Sequence, residues 1–312
     1  MKFRKVVSGD QESILEMFNA LDVSIPNHEL KKRLFSKQFQ CDEDFHGILI
    51  EDNDKIIAYL GLIFVHRNIQ GEIYKFCNLT SFLIDPAYRG QKLTHRIIDE
   101  VIKLGDYTIT AITPIPSLYN MYESKGLRKL SDYRTVFWKT RLRNKNWKVI
   151  TDENLIEQNL DSDNLQIYKD HSKFHCVNLV ISDENEYVLI TGKKYHAQLR
   201  KYKTGRFINY FDFFLRKVFK KSILDKKVDT LEIAYCSDYQ RLIKNFNEIL
   251  SLVSESINVE GLILREDIID LNSLKRYKKN RFWRARQLYL SSKLEPHQYD
   301  TLYSEVFVLD LE

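Results

Sequence analysis

One stretch of the sequence has the residue types and spacing of an anion-binding turn. Asp85-Pro86-Ala87-Tyr88-Arg89-Gly90-Gln91-Lys92 follows an apolar run at residues 79–84 and precedes Leu93, Ile97, Val101 and Leu104, which recur at helical spacing. A strand that ends at proline, turns through glycine and enters a helix points several free backbone amides at one place, where the helix dipole is also positive. The pattern predicts a phosphate or pyrophosphate site. An ordinary strand-to-helix turn with nothing bound is the alternative.

The composition limits the class of protein that carries this turn. A chain of 312 residues is long for one domain and sufficient for two domains of about 150 residues each. A hydrophobic content of 44% and a charged content of 29% indicate buried cores in a soluble protein. The net charge of +5 is mild, so the chain lacks the extreme basicity of a dedicated nucleic-acid binder.

The cysteines and the N-terminal residues bear on location. Cys41, Cys77, Cys176 and Cys236 are scattered and form no CxxC pair, so no metal site or disulfide framework is expected. The first residues contain no signal peptide, and no apolar run is long enough to span a membrane. A cytoplasmic location is therefore expected.

The segments around the turn predict alternating strands and helices. Helices are expected after residues 10 and 26 and at residues 93–104 and 117–124, the last of them ending at a left-handed Gly126. Strands are expected at residues 3–7, 45–50, 55–65, 74–84, 108–113 and 134–139. The turn thus follows the fourth strand of the series.

This order of elements resembles the GNAT N-acetyltransferase fold over about residues 1–140. The resemblance is carried by Ile84-Asp85-Pro86, by Tyr88-Arg89-Gly90-Gln91-Lys92-Leu93-Thr94 and by Tyr122-Glu123-Ser124-Lys125-Gly126-Leu127. In that family the three motifs are the end of the central strand, the acyl-CoA pyrophosphate loop and the helix that bears the tyrosine general acid. The resemblance implies acetyl-CoA or another acyl-CoA as co-substrate and an amine on a small molecule or an amino sugar as acceptor, with no metal. A polyamine, an antibiotic, a protein amine and an O-acceptor stay open.

The resemblance also assigns roles to residues. Backbone groups of Phe82, Leu83 and Ile84 are expected to pair with the pantetheine arm as an added strand would. The pyrophosphate is expected to bind the backbone amides of Arg89, Gly90, Gln91, Lys92, Leu93 and Thr94, with the Arg89 and Lys92 side chains adding positive charge. Tyr122 is expected to protonate the departing sulfur; Tyr119 is a less well placed competitor, and a purely structural Tyr122 is the alternative.

Three positions depart from the family pattern. Lys92 and Thr94 stand where the family mostly has small residues, and Asn78 stands near the position at which many relatives carry a glutamate base. Asn cannot accept a proton at neutral pH, so His66, Glu72 or His95 acting through a water are the candidate bases. Cys77 is expected to be a buried apolar residue, and an acyl-cysteine intermediate is a remote alternative.

The second half of the chain repeats the first. The pattern of residues 48–61 returns without a gap at residues 179–192, and apolar residues at 230–235, 242–257 and 260–264 match the central strand, the following helix and the fifth strand. Residues 305–308 are aligned with the last strand of the first copy. We therefore predict an α/β (α+β) chain of two tandem GNAT-like domains, residues 1–145 and 146–312, each a mixed, mostly antiparallel sheet flanked by helices.

The second copy has lost the features that suit a phosphate. Cys236-Ser237-Asp238-Tyr239-Gln240-Arg241 replaces the turn and contains an acid but no glycine. A degenerate domain is expected, and its counterpart of Tyr122 is missing from the sequence. A basic, aromatic insertion at residues 199–221 predicts a packed helix, an anionic membrane surface or an acidic partner; nucleic acid is the least expected ligand.

Two functions from different classes are consistent with these residues. The first is an acyl-CoA-dependent N-acyltransferase, in which an amine attacks the bound thioester directly. The second is a catalytically inactive tandem GNAT-like protein that binds a ligand or a partner, which the departures at Lys92, Thr94 and Asn78 favour.

Overall fold

The computed structural model describes residues 1–21, 28–139, 146–183, 186–200, 225–268, 273–277 and 279–311. Contacts divide the chain into two compact units, and each has a mixed sheet of seven strand segments with flanking helices. The first unit contains Met1–Asp132, Lys173–His175 and Ala285–Leu311, and the second contains Tyr133–Ser172 and Cys176–Arg284. The predicted α/β fold class is confirmed. The predicted boundary at residue 145 adjoins residues outside the description and stays a prediction.

The described residues contain twelve strands and nine helices. The strands are β1 Lys2–Lys5, β2 Gly47–Asp52, β3 Lys55–Ile69, β4 Glu72–Ile84, β5 Tyr107–Ala111, β6 Arg128–Trp138, β7 Lys148–Ile150, β8 Val177–Ser182, β9 Tyr187–Arg200, β10 Asp225–Cys236, β11 Gly261–Arg265 and β12 Lys279–Leu290. The helices are α1 Gln11–Ala20, α2 His28–Lys32, α3 Leu93–Ile102, α4 Tyr119–Ser124, α5 Glu153–Asn159, α6 Ser162–Ser172, α7 Tyr239–Lys244, α8 Phe246–Ser256 and α9 Glu305–Val308.

In the first unit the strands follow the order β1-β2-β3-β4-β5-β12-β6. Strands β4 and β5 are parallel, while β1–β2, β2–β3, β3–β4 and β5–β12 pair antiparallel. Helix α3 buries Leu93, Ile97, Ile98 and Val101 against this sheet, as its helical spacing predicts. The strand that pairs with β5 on its other side, β12, therefore comes from the C-terminal part of the chain.

The second unit has the matching order β7-β8-β9-β10-β11-β6-β12. Its hairpin of β8 and β9 corresponds to that of β2 and β3, and its parallel pair of β10 and β11 corresponds to β4 and β5. Helix α8 buries Phe246, Ile249, Leu250 and Val253 in the core of this unit. The duplication inferred from the sequence is thus present in the fold.

The alignment of residues 305–308 with a strand is wrong. Glu305–Val308 forms helix α9, and the Val308 and Leu309 amides donate to the carbonyls of Ser304 and Glu305 at 3.3 and 2.9 Å. The last strand is instead β12, Lys279–Leu290. A four-residue apolar segment carries no usable period, so tertiary packing decides its conformation.

None of the described helices is long and apolar enough to cross a lipid bilayer. Within the described ranges, no three His, Cys, Asp or Glu side chains are grouped as metal ligands.

Candidate active site

Strands β4 and β5 separate partway along the sheet of the first unit. Their pairing runs from Lys75 opposite Tyr107 to Asn78 opposite Thr110, whereas β4 continues to Ile84 with β3 as its neighbour. A β-bulge lies at Ser81, whose φ of 46° accompanies a register shift on β3. Among the described residues, the β5-facing edge of residues 79–84 has no strand partner, so its backbone groups can accept an added extended segment.

A cavity of about 250 Å³ opens at this separation. Its walls are formed by Leu60, Leu79, Thr80, Ser81, Phe82, Leu83, Ala111, Thr113, Pro114, Ile115, Leu118, Tyr122, Glu305, Leu309 and Leu311. Ten of these fifteen side chains are apolar, and the ionisable ones are Tyr122 and Glu305. The cavity therefore brings two groups capable of proton transfer next to the free edge of β4.

Tyr122 lies on α4 and is 4% exposed. The helix places it on the cavity wall, and the chain leaves the helix through Gly126, whose φ of 91° is left-handed as predicted. Burial raises the pKa of the Tyr122 phenol well above its ordinary value, and the negative charge of Glu305 adds to the rise. The phenol is therefore protonated at neutral pH and remains a proton donor.

Glu305 is a site residue that the sequence analysis missed. It begins α9, is 2% exposed, and its Oε1 accepts hydrogen bonds from the amide and the hydroxyl of Thr113 at 2.9 and 2.5 Å. Burial raises the pKa of its carboxyl, although hydrogen bonds from Thr113 and nearby amides oppose the rise. The one available signal was an acid in an otherwise apolar segment, a placement that normally requires a partner.

Asn78 is fully buried on β4 and does not act as a base. Its Oδ1 accepts the Glu305 amide at 3.2 Å, and its Nδ2 donates to Thr110 Oγ1 at 3.1 Å. The side chain thus fixes the start of α9 against the central strand. A carboxylate is consequently present beside the position at which the family pattern led us to expect one.

The predicted anion turn has the expected backbone. Asp85 accepts the Ala87 amide at 3.0 Å and pairs with Lys55 at 2.6 Å, which holds the turn in place. No side chain caps the start of α3, so its first amides have no intrahelical acceptor. Gly90 has a φ of 82° and open space where a Cβ would lie, and the exposed Arg89 adds a cation. These features fit a pyrophosphate group.

Lys92 is the least favourable residue of the turn. Its φ of 57° is left-handed, a conformation that costs a non-glycine residue about 1 kcal/mol. Its side chain is exposed, so its charge is available to a phosphate. Thr94 is half-buried, whereas Leu93 is in the core and offers only its backbone.

The other predicted bases lie away from the cavity. His66 Nε2 is 3.8 Å from Glu43 Oε2, Glu72 accepts the hydroxyl of Tyr74 at 2.7 Å, and none of His66, Glu72 and His95 lines the cavity. Tyr119 packs against the core rather than on the cavity wall. Cys77 is fully buried, and burial raises the pKa of its thiol, so it fills the core as expected.

In the corresponding turn of the second unit, the side chain of Asp238 caps the following helix. Asp238 begins α7 and accepts the Arg241 amide at 2.8 Å, so a carboxylate stands where the first unit has free amides. Arg241 also pairs with Glu186 at 3.2 Å. A phosphate would meet a negative charge here. Residues 201–224, most of the basic and aromatic insertion, lie outside the described residues.

Comparisons with known proteins bear on the family and the fold. The Acetyltransferase (GNAT) family model matches residues 13–108. No curated protein matches the sequence.

Three solved structures share the fold. The GCN5-related N-acetyltransferase from Anabaena variabilis ATCC 29413 is 11% identical, with a TM-score of 0.53 over 92% of this chain and 72% of that one. A probable N-acyltransferase from Enterococcus faecalis V583 is 13% identical, with a TM-score of 0.54 over 95% and 73%. A GCN5-related N-acetyltransferase from Kribbella flavida is 10% identical, with a TM-score of 0.52 over 92% and 71%. At these identities the likeness shows the fold alone.

Proposed function

We propose that this chain is an acyl-CoA-dependent N-acyltransferase with its active site in the first unit, because residues 13–108 match the Acetyltransferase (GNAT) family model. One observation supports this more than any other: the free edge of β4 and the buried Tyr122 share one cavity wall. The first unit combines a free strand edge, a turn suited to phosphate and a proton donor. A long thioester substrate with a phosphate group can use all three.

In this proposal each part of the site binds one part of acyl-CoA. The amides from Arg89 to Thr94 hold the pyrophosphate, and Arg89 and Lys92 add charge. Backbone groups of Phe82, Leu83 and Ile84 pair with the pantetheine arm. Acetyl-CoA, or another acyl-CoA, supplies an activated acyl group as a thioester. Tyr122 donates its proton to the sulfur as the thioester is cleaved.

The acceptor in this proposal is an amine on a small molecule, since a cavity of about 250 Å³ has room for a small body only. A cytoplasmic location is also proposed, on the four scattered cysteines. The alternative, an inactive ligand-binding protein, is favoured by the strained Lys92 in the turn.

A thermal-shift titration followed by a thiol-release assay tests the proposal. Saturating acetyl-CoA should raise the melting temperature (Tm) because it binds only the folded chain, and an amine mixture should then release free CoA. A Tm that no acyl-CoA shifts would refute both the enzyme and its cofactor. A shift without CoA release from any amine would favour the inactive alternative.

A further inference from the structure

The carboxylate of Glu305 has one satisfied and one unsatisfied oxygen. Thr113 donates twice to Oε1, whereas Oε2 is buried and has no hydrogen-bond partner among the described residues. Buried polar atoms are nearly always hydrogen-bonded, because leaving one without a partner costs the full desolvation penalty. An unpaired carboxylate oxygen in a cavity wall is therefore suited to a donor that is absent from the chain itself.

The surroundings of Glu305 leave that donor to a ligand. Among the described residues, no Lys, Arg or His forms an ion pair with its carboxylate, and the other titratable side chain on the cavity wall is Tyr122 of α4. From β4, the Asn78 side chain accepts the backbone amide of Glu305, and a hydrogen bond from Asn78 also opposes the rise in the pKa of the Glu305 carboxyl; Thr113 presents neutral donors after β5. These partners are neutral, so no positive charge among the described residues balances Glu305.

We propose that Glu305 binds the ammonium group of the acceptor and removes its proton, and that this acceptor is a primary amine on a compact, apolar body. The inference rests on the proposed acyl transfer and deepens it. It also accounts for Asn78: the carboxylate comes from α9 near the C-terminus, and Asn78 holds that helix in position.

The proton transfers balance as follows. Glu305 takes one proton from the ammonium group, and the neutral nitrogen forms a bond to the thioester carbonyl carbon. The carbon–sulfur bond breaks with its electron pair going to sulfur, which receives the phenol proton of Tyr122. The second proton lost by the nitrogen restores Tyr122, and Glu305 releases its own proton to solvent. The products are an amide and free CoA, and no oxidant or reductant is needed.

The lining of the cavity selects the acceptor class. One carboxylate matches one ammonium group, whereas the wall has few hydroxyl groups, and these already have partners: Thr80 bonds to Ser81, and Thr113 donates to Glu305. Most hydroxyls of an amino sugar, or a second ammonium group of a polyamine, would therefore be desolvated with little compensation. A phenyl or alkyl body gains from the same apolar walls.

The first test compares the full chain with Glu305→Gln, using 2-phenylethylamine as the probe in the presence of free CoA. Gln keeps an oxygen acceptor for Thr113, so the variant should fold. The amine should raise the Tm of the wild type and have little effect on Glu305→Gln. Glu123→Gln, an exposed change beside Tyr122, should behave as the wild type. Equal shifts in wild type and Glu305→Gln, or no shift in the wild type, would overturn the role of Glu305.

The second test is kinetic. With acetyl-CoA and 2-phenylethylamine, Glu305→Gln should lower kcat/KM by ~10²-fold or more, and its rate should rise with pH only as the amine itself loses its proton, whereas the rate of the wild type should level off once Glu305 is ionised. Its acetyl-CoA-induced Tm shift should be unchanged, which separates this test from that of the proposed function. A preserved pH profile, or an activity loss that merely follows a fall in Tm, would contradict a role as base.

The proposed acceptor class is tested separately, by comparing three amines. The value of kcat/KM should be at least tenfold higher for 2-phenylethylamine than for glucosamine or spermidine. A preference for either of those two, or turnover of none of the three by a chain that binds acetyl-CoA, would overturn the class.

Discussion

Three buried polar residues of the first unit carry the proposed site. Tyr122 and Glu305 line the cavity, and Asn78 holds the element that carries Glu305. Burial shifts the pKa values of both ionisable groups upward, but the consequences differ. Tyr122 becomes a more persistent proton donor, whereas Glu305 becomes a stronger base once it is ionised.

Turnover should depend directly on the phenol group of Tyr122. Tyr122→Phe removes the proton donor and keeps the ring in the core, so kcat should fall by ~10²-fold or more while the Kd of acetyl-CoA is unchanged. Tyr119→Phe, one turn earlier on α4, is the matched control and should retain activity. A Tyr122→Phe enzyme with wild-type kcat would remove Tyr122 from the mechanism.

The charge of Lys92 should matter to cofactor affinity in a salt-dependent way. Lys92→Gln keeps a long side chain and removes one cation, so the Kd of acetyl-CoA should rise about threefold at low salt, the effect of one exposed ionic contact. Lys103→Gln, at the other end of α3, should not change the Kd. Measurements at rising ionic strength should bring the Lys92→Gln and wild-type values together. A salt-independent difference would argue against a phosphate contact.

The carboxyl of Glu305 should make stability depend on pH. Its pKa is raised in the folded chain, so its contribution to stability is present at low pH and is lost as the pH rises from the ordinary glutamate range through the raised pKa. The Tm of the wild type should therefore fall relative to that of Glu305→Gln between low and neutral pH. Parallel Tm curves would show that the carboxyl is not titrating in the folded chain.

At the scale of elements, the sequence predicted those that depend on local patterns and missed the one that depends on long-range packing. The hairpin of β2 and β3, its repeat in β8 and β9, the turn before α3 and the end of α4 at Gly126 all follow from periodicity and turn residues. Helix α9 does not, because its place against β4 joins residues 227 positions apart. No local pattern reports such a contact, and Glu305 was missed with it.

The attachment of α9 to β4 can be tested at Asn78. Asn78→Leu keeps the volume and leaves the Glu305 amide and Thr110 without their partner, so the free energy of unfolding should fall by about 1–3 kcal/mol. Urea denaturation measures this change, and thiol release should fall as well because Glu305 loses its anchor. Asn120→Ala, on the exposed side of α4, should stay within about 0.5 kcal/mol of wild type. Unchanged stability in Asn78→Leu would contradict the anchoring role.

At the scale of the whole molecule, the two units have matching strand orders, and only the first has the turn that we propose as the acyl-CoA site. The first unit has free amides at the start of α3 and an open space at Gly90, whereas Asp238 fills the same place in the second unit. The first unit also includes the C-terminal residues Ala285–Leu311, which supply Glu305. The two copies are therefore expected to differ in ligand binding although they share a fold.

Calorimetric titration of acetyl-CoA into the full chain tests the central claim most directly. We predict one binding site per chain, weakened by Arg89→Gln in the first unit and unaffected by Lys244→Gln on α7 of the second. Two sites, no site, or a single site that Lys244→Gln weakens and Arg89→Gln does not, would contradict the assignment of acyl-CoA binding to the first unit.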